Sequence, residues 1–101
     1  MDLFLRPTVI ADDTLRDDYV VVYEDRHIGR IRLASERNPA MWTYGITVPL
    51  PIPAYGNGRA HDLEEATAAF RAAWERFCSG LRPDRIEHWH LTDEADKGRF
   101  G

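Results

Sequence analysis

The chain has 101 residues, 44% of them hydrophobic and 30% charged, with a formal net charge of −4. That length supports one domain with one modest core and excludes a second. The negative balance disfavours a partner held through phosphates, and no run of about 18 apolar residues offers a membrane span.

With no positively charged leader before an apolar run, a cytoplasmic protein is expected, with nucleic acid and membrane disfavoured as partners. Cys78 is the only cysteine, which rules out an intrachain disulfide. It reads as a small buried hydrophobe rather than a reactive thiol, because a helix C-terminus does not lower a thiol pKa.

In chain order, residues 1–18 read as an arm and a loop. Leu3 to Ile10, interrupted by Pro7, fits an extended edge segment lying on the core or on a partner. Asp12 to Asp18 reads as a loop, because short polar side chains compete for backbone hydrogen bonds. Tyr19 to Tyr23, YVVVY, is the strongest strand signal. A turn at Glu24 to His27 leads into Ile28 to Leu33, where Arg30 and Arg32 alternate with apolar positions. Gly29 beside a bulky strand suggests a bulge or room for an aromatic ring. After the polar stretch Ala34 to Ala40, Met41 to Val48 places Trp42, Tyr44, Ile46 and Val48 on one face of a third strand.

Pro49, Pro51 and Pro53 stiffen the next segment, and Tyr55 to Gly58 reads as a turn carrying the chain from sheet to helix. Leu63, Ala66, Phe70, Ala73, Trp74 and Phe77 then recur at helical spacing. The predicted helix spans 62–79, with Asp62 as N-cap, Glu65 completing a capping box, Gly80 as a left-handed terminator and Pro83 barring continuation. Arg85 to Leu91 alternates well enough for a short fourth strand, and 92–101 is polar enough to be a frayed tail.

The fold class this implies is α+β: a three-stranded antiparallel meander over 19–48 with one amphipathic helix across it, β-β-β-α, and candidate short extra strands at both termini. The strand Tyr19 to Tyr23 is apolar on both sides, so its second face calls for a cover. The arm, the Arg85 to Leu91 segment and a second copy of the chain are the candidates, which makes a homodimer an expectation.

Three constellations offer chemistry. His88 and His90, two apart on a strand, would share a side and could hold a metal, with Asp84, Glu87 or His61 adding ligands. Trp42 and Tyr44, with Arg30 and Arg32, could form a partner-binding surface; the competing reading is that the aromatics pack under Phe70 and Trp74. The loop Pro49 to Gly58 could dock on an aromatic groove or serve as a rigid connection. No catalytic set emerges, and no cofactor is implied: the glycines match neither a phosphate-binding loop nor a dinucleotide fingerprint.

The stretches Arg6 to Ile10, Asp18 to Val21, Ile28 to Ile31, Trp42 to Ile46 and Asp62 to Ala66, with Phe70 and Trp74, resemble a family of small uncharacterised bacterial proteins of about this length. That resemblance carries no activity or ligand residues. The element order is also similar to the sheet-and-helix modules of small antitoxins and of double-stranded RNA-binding domains. In place of the basic helix start of the RNA-binding domains, Asp62, Glu64 and Glu65 stand here. The expected function is therefore a non-enzymatic interaction module, self-associating and with an unknown protein partner. The alternatives are a metal-binding protein or metal-dependent enzyme using His88 and His90, and a small nucleic-acid-binding regulator using Arg26, Arg30 and Arg32.

Overall fold

The computed structural model describes residues 2–34 and 39–100, without the side chains of Leu15 and of 95–100. Most of the polar stretch expected from Ala34 to Ala40 lies outside the described residues. The YVVVY run ends an eleven-residue strand, β2 (Asp13–Tyr23). It is flanked by β1 (Phe4–Ile10) and β3 (Arg26–Ala34), and β4 (Met41–Ile46) and β5 (Asn57–Ala60) extend the sheet in chain order. All four pairings are antiparallel, so the meander has five strands: the expected three, the candidate extra strand at the N-terminus as β1, and β5, which was not expected.

Both additions have local causes. Pro7 lies in β1 at the sheet's edge, where a missing N–H is tolerated. The loop expected over Asp12 to Asp18 shrinks to a two-residue turn. Ala11 and Asp12, with φ of 50° and 67°, take the left-handed conformations that match the twist of paired strands. Glu24 and Asp25 do the same between β2 and β3, at 50° and 61°. A bulge between the Pro7–Tyr19 and Val9–Thr14 pairs absorbs the remaining acidic residues, with Asp17 at φ 55°. β5 replaces the second half of the expected turn. NGRA has no β-branched residue to signal a strand, but Gly58 leaves space for the Tyr44 ring from β4.

The proline segment therefore does not cross to the helix directly. It curls back through a 3₁₀ turn at Ala54–Gly56, adds β5, and only then reaches Asp62. Helix α1 (Leu63–Ser79) has the expected bounds, and Asp62 Oδ1 accepts from the Glu65 N–H at 2.7 Å. Two details of its ends differ. The Glu65 carboxylate approaches His61 Nδ1 at 3.4 Å, an (i, i+4) contact, and Gly80 is right-handed at φ −96°. Its N–H still reaches the Phe77 carbonyl at 3.2 Å, and the chain turns straight into another helix.

That helix, α2 (Pro83–Phe100), stands where a short strand and a frayed tail were expected. Pro83 ends α1 and opens α2, since a proline is favoured in a first helical turn. The alternation of Ile86, His88 and His90 is incidental: the residues turned to the core are the half-buried Ile86 and the buried Trp89, three apart, the helical period.

Phe70 and Trp74 from α1 are fully buried against Val21, Ile28, Ile31 and Ile46 of the sheet. Gly29 makes this possible, because the Phe70 ring occupies the space a Cβ would need. Trp89 of α2 meets Trp74 edge-to-face, ring centroids 5.7 Å apart. Trp74 Nε1 and Trp89 Nε1 are both buried without an acceptor, which costs about 1–3 kcal/mol for each group. Arg26 ties α2 to the sheet through Asp93 at 2.6 Å and Glu94 at 3.1 Å. Among the described residues no helix is long and apolar enough to cross a membrane.

Candidate functional site

Alternation along the strands sorts the sheet into two faces. Leu3, Leu5, Val21, Tyr23, Trp42, Tyr44, Ile46 and Ala60 turn toward the helices. Their neighbours Arg6, Asp18, Val20, Arg30, Arg32, Thr43, Asn57 and Arg59 turn the other way. No described helix covers that second face. On this face the YVVVY run presents Val20 and Val22, with the exposed Phe4 beside Val22. Val22 is buried between its strand neighbours Phe4 and His27.

Register builds the site in two rows. Arg6, Val20, Arg30, Gly45 and Asn57 run across the five strands in one, and Asp18, Arg32, Thr43 and Arg59 across four strands in the next. Between β3, β4 and β5 the result is a shallow groove of about 450 Å³, with Arg30, Arg32 and Arg59 around Thr43, Thr47 and Asn57. Gly45 keeps its floor open, because a Cβ there would run into the Asn57 side chain.

Asp18 anchors one side. Its carboxylate accepts from Arg30 Nε at 2.8 Å, pairs with Arg30 Nη2, and accepts from the Thr8 hydroxyl at 2.9 Å. The Arg30 hydrogen bonds hold the Asp18 carboxyl below the usual carboxylate range against the opposing effect of burial, helped by Thr8 and by the charges of Arg30 and Arg32. The same bonds push the Arg30 guanidinium up. Alternation along β2 puts Asp18 on the same face as Arg30 and Arg32.

The expected partner-binding set is divided by this geometry. Arg30 and Arg32 lie on the open face, whereas Trp42 and Tyr44 face the helices: Trp42 stacks on Tyr19 with centroids 6.5 Å apart, and Tyr44 covers Gly58. Arg26, expected to act with Arg30 and Arg32, is drawn to the other side by Asp93 and Glu94. Residue 59 escaped the sequence reading because its strand did, and Asp18 because it looked like one more member of an acidic cluster.

His88 and His90 do not share a side. Two positions apart on a helix means about 200° of rotation, and His88 is exposed while His90 is half-buried beside Trp89. His61 is exposed just before α1, next to Glu65. Among the described residues no group of three or more His, Cys, Asp and Glu side chains is placed to hold a metal ion. Burial, and secondarily the charge of Glu24, pushes the Cys78 thiol up, so it is not an activated nucleophile. The proline loop is largely taken up internally: Leu50, Ile52 and Tyr55 pack on the core, and Arg76 lies 4.0 Å over the Tyr55 ring. No protein-family model, curated protein or solved structure matches the chain.

Proposed function

We propose that this chain is a non-enzymatic interaction module whose docking surface is the open sheet face, and that its partner is an acidic protein segment. The observation that carries the reading is the grouping of Arg30, Arg32 and Arg59 around one polar groove in a chain of net charge −4. Arginine forks pair with carboxylates in two-point fashion, and Thr43, Thr47 and Asn57 add short polar groups between them. A nucleic acid fits this surface less well. Asp18 already neutralises Arg30, so the positive field is local rather than extended.

The test is binding of a fluorescent octaglutamate peptide and of a single-stranded thymidine oligonucleotide, with the native chain and with Arg32→Glu combined with Arg59→Glu. The native chain should bind the peptide, and the double variant at least about tenfold more weakly. Tighter, strongly salt-dependent binding of the oligonucleotide would replace this reading with the nucleic-acid regulator; no charge-dependent binding of either would end it.

A second observation favours self-association. Phe4, Val9 and Ile10 are 64%, 59% and 56% exposed on β1, an edge strand. The arginines oppose stacking of two identical open faces, so the edge of β1, rather than the face, is the surface proposed to meet a second copy.

A further inference from the structure

β5 ends the sheet opposite β1, so one of its long sides has no strand beside it. Pairing fixes which of its main-chain groups lie on that side. The Thr47 N–H donates to the Ile28 carbonyl at 2.9 Å, so the alternate β4 residues Thr43 and Gly45 turn their main-chain groups toward β3. Trp42 and Tyr44 therefore turn theirs toward β5, where they meet Ala60 and Gly58. Left pointing out of the sheet are the N–H and C=O of Arg59 and the C=O of Asn57, whose N–H is taken by the Ala54 carbonyl. Among the described residues Arg59 makes no main-chain bond outside the strands, and it is exposed. We propose that an acidic segment of a partner protein binds by adding an antiparallel strand to β5, with a carboxylate residue directly opposite Arg59.

The inference rests on the reading of the arginine groove as a site for an acidic protein segment, and adds where that segment's backbone lies. In an antiparallel pair of this kind, the residue opposite Arg59 exchanges two hydrogen bonds with it and presents its side chain on the same face. That side chain continues the row of Asp18, Arg32, Thr43 and Arg59 across the open face, beside the Arg59 guanidinium. A carboxylate is what the position selects. Alternation along the added strand puts the next acidic residue, two positions on, opposite Asn57. This is the end of β5 away from Asp62, Glu64 and Glu65 at the start of α1.

The same charge rejects a second copy of the chain at this edge. Two β5 strands paired about Arg59 would set like charges directly opposite each other, which is destabilising.

The test uses a fluorescent heptapeptide of alternating threonine and glutamate, blocked at both ends, in unmodified form and N-methylated either at every glutamate or at every threonine. Methylation at glutamate removes the N–H that donates to the Arg59 carbonyl; methylation at threonine removes N–H groups that face away from β5. The unmodified and threonine-methylated peptides should bind within about threefold of each other, and the glutamate-methylated peptide at least about tenfold more weakly. In the complex the Arg59 amide should gain protection from hydrogen exchange while the β1 amides stay as they are. Should both methylated forms bind alike, with binding still lost in Arg32→Glu combined with Arg59→Glu, the segment is held by side chains alone. That result overturns the added strand and leaves the groove reading intact. Protection gained on β1 instead of at Arg59 overturns it too, and no charge-dependent binding of the unmodified peptide ends both readings.

Discussion

Asp18 is the buried charged side chain among the described residues, 7% exposed, and its partners decide what it contributes. Replacing it with Asn removes two charge-assisted bonds, but Arg30 is half-exposed and can hydrate, so Asp18→Asn should cost only about 1 kcal/mol at neutral pH. Because folding lowers this pKa, the contribution is complete above the unfolded carboxylate value of about 3.9 and disappears as pH falls through the folded one. Urea midpoints of the native chain and the variant should therefore differ at pH 6 and converge as pH falls through the lowered folded-state pKa of Asp18; a constant gap would mean the loss is packing rather than charge. Gly29 is the other decisive residue. A Cβ there would collide with the Phe70 ring and approach the Gly45 carbonyl oxygen at 2.6 Å. Gly29→Ala should destabilise by about 1–3 kcal/mol, with part of the loss recovered by Phe70→Leu. An unchanged stability would place α1 further from the sheet than it stands here.

At the scale of elements, the two helices are held differently. α1 buries Ala66, Phe70, Ala73, Trp74 and Phe77 over the sheet, so Trp74→Ala should cost about 3–5 kcal/mol and weaken the whole fold. α2 is fastened by Ile86, by Trp89 and by the two ion pairs of Arg26, the second of which is largely exposed. Trp89→Ala should release α2 while the sheet stays folded. Trypsin would then cut faster after Arg85, and the strand amides would keep their protection from exchange. Loss of protection throughout the sheet would show that α2 is part of the same cooperative unit.

For the molecule as a whole, the arginine groove and the apolar core fall on different sides of the sheet. The open face carries the arginines, the helix side carries the core, and β1 leaves Phe4, Val9 and Ile10 at an unpaired edge. Light scattering over a range of concentrations should show a dimer that Val9→Lys shifts toward monomer, because edge lysines block strand pairing. A strict monomer at every concentration would remove the β1 edge as an assembly surface and leave the groove as the interaction site.

Features that rest on local spacing and local chemistry are legible along the chain. The helix Leu63–Ser79 and its Asp62 cap follow from a 3.6-residue apolar period and a side chain that can accept an orphan N–H. The central strands follow from β-branched runs and alternation, and space for an aromatic ring at Gly29 from a small residue beside a bulky strand. Tertiary structure decided the rest. NGRA is a strand because β4 and the Tyr44 ring hold it, not because its residues favour one. Arg85 to Leu91 alternates like a strand yet is helical, because burying Trp89 beside Trp74 outweighs a two-residue pattern that chance supplies easily. The groove was illegible for the same reason: Arg30, Arg32 and Arg59 come from strands of which one carries no propensity signal. Only pairing register puts their side chains on one face and turns Trp42 and Tyr44 to the other.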